Sequence, residues 1–252
     1  LKSRSRYLLP FIPTAVEGLD FRGYDLVISS SGAWMKNIIT PTQTRHLCYC
    51  HSPMRFVWDY WPAYLQEQRK GPLTSFAIRA LTSYLRLWDA EGASRVDRYL
   101  ANSETTRARI EKFYGADSRV VYPPVNLSDL RPQKQKGDFL LSVGSLTPYK
   151  KFDLAIEAAG RMKRRLVIAG DGPDRARLEA LAGSTVEFIG YAPREKLALL
   201  YATAQALIHP QVEDFGITVV EALASGTPVV AYRGGGATET LTEETGIFFD
   251  EQ

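Results

Sequence analysis

The sequence predicts an α/β protein of two doubly wound domains, each a parallel sheet covered by helices. Three observations carry that expectation. The chain has 252 residues, enough for two domains of about 100–150 residues each. Its composition, 45% hydrophobic and 23% charged, suits a chain that buries a core and excludes collagenous, low-complexity and disordered classes. In the second half, short β-branched runs alternate with stretches of helical spacing, the pattern of βαβ units.

Residues 25–29 read as a buried strand after a Gly-Tyr turn, and 46–50 as a second. Over 73–93, Phe76, Ala77, Ala80, Leu81, Tyr84, Leu85 and Trp88 keep helical spacing. Residues 99–101 and 120–122 read as further strands. The stretch 123–138, with Pro123, Pro124, Pro132 and several charges, reads as a linker that holds no core, so the domains are expected at 1–126 and 127–252. Beyond it, strands are expected at 139–143, 166–169, 186–189, 206–209, 229–232 and 247–249. Amphipathic stretches at 152–162, 175–181, 194–202 and 216–223 lie between them. Many of these strand runs are apolar throughout, as when both faces of a sheet are covered.

The formal net charge of +3 argues against a dedicated nucleic-acid binder, and no apolar run approaches the roughly 18–20 residues that span a bilayer. The charge is uneven: residues 1–126 hold 17 basic and 11 acidic side chains, residues 127–252 hold 14 and 17. Cys48 and Cys50 are too few for a disulfide framework and read as two buried small apolar residues, their thiols on opposite faces of a strand in a reducing compartment. The chain opens at Leu1 in mid-pattern and is expected to be a piece of a longer protein.

An open parallel sheet binds its ligand at the carboxyl ends of its strands, so the loops there carry the functional reading. Gly144-Ser145 through Lys150-Lys151 leads from a strand into a helix, whose free N–H groups attract anions. The two lysines read as a phosphate clamp or as solvated surface lysines. Gly170-Asp171-Gly172-Pro173 is turn chemistry in which Asp171 or Asp174 would cap a helix, with added weight from its neighbouring loop. The most informative run is 209–223: Glu213 lies in a strand-end loop, Gly216, Ile217 and Thr218 open a helix, and Glu221 shares a face with Ile217 and Thr218. A half-buried carboxylate needs donors, which sugar hydroxyls supply, while the N–H groups of Gly216 and Ile217 suit a phosphate. The alternative is a capping glutamate and an ordinary helix glutamate. Gly234-Gly235-Gly236 lacks the third glycine of a dinucleotide fingerprint and reads as a flexible loop near a ligand, which weakens a nicotinamide-dependent reading.

Together, Leu141-Ser-Val-Gly144, Pro148-Tyr-Lys-Lys151, Ile168-Ala-Gly-Asp-Gly-Pro173, the glutamates at 213 and 221, Ala224-Ser-Gly-Thr-Pro-Val-Val230, Val121-Tyr-Pro-Pro-Val125 and Cys50-His-Ser-Pro-Met-Arg-Phe-Val-Trp-Asp59 resemble the retaining glycosyltransferases of family 4, in a bacterial subgroup that includes mannosyltransferases of polysaccharide assembly. The likeness covers almost the whole chain. It implies the GT-B architecture, two Rossmann-like domains facing across a cleft, the first incomplete here. It also implies a nucleotide-sugar donor, GDP-mannose or a UDP-sugar, with no cofactor and no metal.

By motif position, Glu213 resembles the glutamate facing the donor sugar and Glu221 the one on the ribose. Lys150 resembles the pyrophosphate lysine, and the N–H groups of Phe215, Gly216 and Ile217 fall where the family binds phosphate and sugar. Gly144, Ser145, Lys151, Gly170 and Asp171 complete the donor loops, and His51 resembles a first-domain histidine near the transferred sugar. The family has arginine where this chain has Ser145. It also has an early glycine-rich loop and final helices that are missing here.

The resemblance implies sugar transfer with retention to a saccharide or lipid-linked acceptor, in polysaccharide or glycolipid assembly; the rival is a non-catalytic nucleotide-sugar-binding fragment. The expected location is cytoplasmic. Peripheral contact with the inner membrane face would run through the segment 58–64, Arg55, Arg69 and Lys70.

Overall fold

The computed structural model describes residues 5–61 and 71–252, with side chains from residue 8 onward. Tyr64, Arg69 and Lys70, expected at a membrane surface, lie outside the described residues. The chain divides into two compact units, Leu1–Tyr122 and Pro123–Gln252.

The first unit is a four-stranded parallel sheet in the order β1 (Leu26–Ser31), β2 (Arg45–Cys50), β3 (Arg98–Ala101), β4 (Ser118–Val120). It carries α1 (Ile12–Glu17), α2 (Pro72–Ala93) and α3 (Glu104–Tyr114). Two of these helices are absent from the sequence expectation, although α3 has clear end signals. The Ser103 side chain accepts from the Thr106 N–H at 3.0 Å, and Gly115 closes the helix at φ 62°. The strand expected at 120–122 forms two residues earlier.

Cys48 and Cys50 are free and fully buried. Their thiols share one face with His46, which corrects the expectation of opposite faces: residues two apart on a strand point the same way.

Between α2 and the sheet lies a buried charge. Lys36 Nζ is 3.0 Å from Asp89 Oδ1 and donates to the Asp89 carbonyl at 2.6 Å. Asp89 Oδ2 accepts from Trp58 Nε1 and the Tyr114 hydroxyl, both at 2.8 Å. Trp58 also stacks on Phe113 with ring centroids 4.9 Å apart. The indole expected near a membrane surface is thus packed and hydrogen-bonded within the first unit. Arg55 likewise faces Asp59 at 3.6 Å within the unit.

The second unit holds a six-stranded parallel sheet: β5 (Leu140–Val143), β6 (Leu166–Ala169), β7 (Val186–Gly190), β8 (Ala206–His209), β9 (Val229–Tyr232) and β10 (Gly246–Phe249). Its helices are α4 (Phe152–Met162), α5 (Arg175–Leu181), α6 (Arg194–Thr203), α7 (Ile217–Ala224) and α8 (Ala237–Thr240). All four residues of β6 are buried, Leu166 and Ile168 in one core cluster and Val167 and Ala169 in the other, so the apolar run reflects helices on both faces.

The sheet order is β10-β9-β8-β5-β6-β7. Read from β7, it is the 3-2-1-4-5-6 order of a doubly wound sheet, which reverses between β5 and β8.

The stretch 123–138 is not a free linker. Leu130 is 5% exposed in the larger core cluster, Val125 packs against that cluster, and the Asn126 carbonyl accepts from Arg194. These contacts draw it into the second unit and put the division at 122/123, four residues before the expected boundary.

Candidate active site

Where strand order reverses, the loops after β5 and β8 leave the sheet side by side in opposite directions and open a crevice. The loop after β5 passes Gly144 and Ser145 to a short 3-10 turn (Pro148–Lys150) and then α4. The loop after β8 carries Gln211 and Glu213 to Gly216, the left-handed N-cap of α7 at φ 86°. Across the crevice Lys150 Nζ donates to Glu213 Oε1 at 2.5 Å. Burial pushes the Glu213 carboxyl up, but Lys150, His209 and Gln211 together outweigh it and hold the group below its ordinary range.

His209 closes the floor of the site. It is 1% exposed, its Nδ1 lies 3.4 Å from Thr218 Oγ1, and its buried Nε2 has no hydrogen-bond partner among the described residues. Burial, reinforced by Lys150 and opposed by Glu213, pushes its pKa down to about 4, so the ring is neutral near pH 7.

Two glycine loops underlie this geometry. A Cβ on Gly170 would lie 1.8 Å from the Gly144 carbonyl oxygen, and one on Gly172 would lie 2.3 Å from that of Leu146, so the loops after β5 and β6 pack backbone to backbone. The run 234–236 does the same beneath Glu213. A Cβ on Gly235 would lie 2.1 Å from the Glu213 carbonyl oxygen, and the Gly236 N–H donates to that oxygen at 2.9 Å. These glycines serve close packing, which corrects the reading of a flexible loop. The capping expectation is corrected too. Asp171 Oδ1 accepts from the Gly172 N–H at 2.7 Å, and Asp174 binds Arg177 through both carboxylate oxygens at 2.8 and 2.7 Å.

Of the expected donor residues, the structure brings together Gly144, Lys150, Glu213 and the α7 N-terminus with Phe215, Gly216 and Ile217. Gly170 and Asp171 support the β5 loop from the next strand end. Ser145 and Lys151 are exposed, and Lys151 forms no ion pair among the described residues. Glu221, one turn into α7, is 7% exposed and accepts from Arg194.

His51 belongs to the first unit. It follows β2, its Nε2 lies 2.8 Å from Ser30 Oγ, and its ring meets Tyr49 edge-on at 5.1 Å. Among the described residues no group of three or more His, Cys, Asp or Glu could hold a metal ion, and no helix is long and apolar enough to cross a membrane.

Sequence reasoning did not single out Arg194, Gln211 or Tyr201, nor give His209 a role. His209 stood inside the motif that held Glu213, whereas Arg194 reaches a partner 27 residues away that no spacing rule reveals.

Residues 1–129 match the family model described as Glycosyltransferase Family 4, and residues 129–252 match Glycosyl transferases group 1. Among curated relatives, a GDP-mannose-dependent alpha-(1-6)-phosphatidylinositol dimannoside mannosyltransferase of Mycobacterium tuberculosis is 30% identical over 194 residues, covering 69% of this chain and 51% of that protein. An O-antigen chain mannosyltransferase of Salmonella typhimurium is 29% identical over 159 residues, 58% of this chain and 45% of that protein. The chain thus spans about half the length of these relatives. Among solved structures, sucrose-phosphate synthase from Thermosynechococcus elongatus has a TM-score of 0.77 at 23% identity, covering 98% of this chain and 67% of that one. Anabaena HepE in complex with UDP-glucose has a TM-score of 0.65 at 16% identity, covering 96% and 68%. Both are similar in fold.

Proposed function

The chain belongs to glycosyltransferase family 4, with the two-sheet α/β fold of GT-B enzymes, and on that premise we propose that it transfers mannose from GDP-mannose to a hydroxyl of a saccharide or lipid-linked acceptor, with retention at the anomeric carbon. The observation that carries this reading is the convergence of Lys150, Glu213 and the N-terminus of α7 where strand order reverses. The choice of sugar and base follows the mycobacterial relative, whose name specifies GDP-mannose.

In the reaction, the bond between the sugar and the diphosphate breaks while the acceptor oxygen bonds to the anomeric carbon. The acceptor hydroxyl gives its proton to an oxygen of the departing diphosphate. Negative charge grows on the departing diphosphate, where the Lys150 ammonium and the N–H groups of Phe215, Gly216 and Ile217 stabilise it at fixed positions. Glu213, kept ionised by Lys150, faces the sugar as positive charge develops there. Glu221 takes the ribose hydroxyls. His51, whose ring lies 2.8 Å from Ser30 Oγ, is by motif position the family's first-domain histidine. Donor arrival also replaces one contact: the Lys150–Glu213 pair must exchange partners as Lys150 turns to phosphate.

Calorimetric titration with GDP, UDP and GDP-mannose, followed by an assay for nucleoside diphosphate release with acceptor, tests the reading. Tight GDP-mannose binding with acceptor-dependent release supports it. Binding without release favours a non-catalytic nucleotide-sugar-binding role, and no binding of any of the three overturns both.

A further inference from the structure

Arg194 takes no part in the reaction as described, yet it governs how one of its carboxylates is presented. It is the first residue of α6, and its guanidinium reaches α7, where Nη1 donates to Glu221 Oε1. The other arm, Nη2, donates to the Asn126 carbonyl at 2.7 Å, and Nε lies 3.8 Å from Asp129 Oδ2. Tyr201, on the same face of α6 and fully buried, turns its hydroxyl toward Glu221; burial and then the Glu221 charge hold that phenol protonated.

At 7% exposure an ionised carboxylate needs a partner, and its direction of approach decides which oxygen remains for a ligand. A guanidinium is a planar fork, so fixing one arm on a backbone carbonyl fixes the other. Arg194, anchored through its second arm on the Asn126 carbonyl, thus holds Glu221 at Oε1.

We propose that Arg194 is a positioning residue for the donor's ribose. By holding Glu221 at one oxygen, it aims the other at the ribose hydroxyls and sets the preference for a ribonucleotide without touching it. The inference rests on the reading that Glu221 binds ribose.

The test compares GDP and UDP with their 2′,3′-dideoxy forms by titration calorimetry, on the unsubstituted chain and on Arg194→Met, Arg194→Lys and Glu221→Gln, with unfolding midpoints recorded for each. The unsubstituted chain should prefer the ribo form by about tenfold or more, as hydrogen bonds to a charged group would give. Arg194→Met should lose most of that preference while its affinity for the dideoxy form stays within about twofold, since only the hydroxyl contact is misaimed. Arg194→Lys, which keeps the charge and loses the fork, should fall between them and serves alone should Arg194→Met fail to fold. A preference unchanged in Arg194→Lys and Arg194→Met overturns the proposal, as does an equal loss of affinity for both nucleotide forms. If the unsubstituted chain binds nucleoside diphosphate without any preference, or Glu221→Gln keeps it, the ribose role of Glu221 itself has failed.

Discussion

Glu213 and Lys150 neutralise each other, so removing one changes the charge seen by the other. Glu213→Ala should lower turnover by roughly 30- to 1,000-fold, the scale of one aligned charge contact in a transition state of about 2–4 kcal/mol. It should leave nucleoside diphosphate affinity equal or tighter, because the freed ammonium turns to phosphate. Near-normal turnover in a release assay would remove Glu213 from the sugar. The same competition makes Ser145 informative: Lys150 is engaged, Lys151 is exposed, and the position after Gly144 carries no guanidinium. Ser145→Arg should tighten nucleoside diphosphate binding by about 1–3 kcal/mol in titration calorimetry. Unchanged affinity would mean that the lysines already satisfy the diphosphate.

His209 supplies a test that needs no substrate. Its folded pKa of about 4 lies below the ordinary 6.5, so the unfolded chain takes up the proton first as pH falls. The stabilisation is complete above pH 6.5 and is lost between 6.5 and 4, at about 1.4 kcal/mol per pH unit at most. His46, pushed down by burial, adds a loss of the same sign. Unfolding midpoints from pH 7.5 to 4.5 should therefore fall in the unsubstituted chain and fall less steeply in His209→Gln. Identical slopes would show that His209 is not held neutral.

Among elements, the loops at the strand ends owe their shapes to contacts made elsewhere. The β5 loop can carry Lys150 to Glu213 only because the β6 loop lies against it with no side chain between them. Gly170→Ala places a methyl 1.8 Å from the Gly144 carbonyl oxygen at a residue whose φ is 144°. The backbone must move, at a cost of about 2–3 kcal/mol, the scale of an overpacked core site. A lowered unfolding midpoint together with weaker nucleoside diphosphate binding is expected, whereas Gly160→Ala, where nothing lies within 4 Å of the added Cβ on α4, should disturb neither. Equal behaviour of the two variants would deny the loop contact its role.

For the whole molecule, the charge split between the halves gives a long-range expectation. Residues 1–126 carry a net +6 and residues 127–252 a net −3. Trp58 and Arg55 are committed inside the first unit, so any attraction to an anionic surface rests on the remaining basic residues, at about 1 kcal/mol each when near it. Co-sedimentation should show stronger binding to anionic than to neutral vesicles, weakened by added salt as the Debye length shortens. Equal binding to both, or indifference to salt, would end the idea.

The bounds of the second-unit strands were legible because strand formation there is local. A four-residue β-branched run buried on both faces looks the same in sequence whichever strand lies beside it. The motif loops were legible for the same reason: Gly144, Lys150, Glu213 and Glu221 each sit at a strand end or helix start that its neighbours announce.

What remained hidden is what joins distant residues. Lys150 meets Glu213 across 63 positions, Lys36 meets Asp89 across 53, and Arg194 meets Glu221 across 27. Even the roles of the glycines at 170 and 235 depended on which backbone would lie against them. The sequence by itself determined the elements and the chemistry each loop carries. Which charges pair, and which groups are buried without a partner, was decided by strand order, because only the folded sheet sets which loops share a low-dielectric crevice.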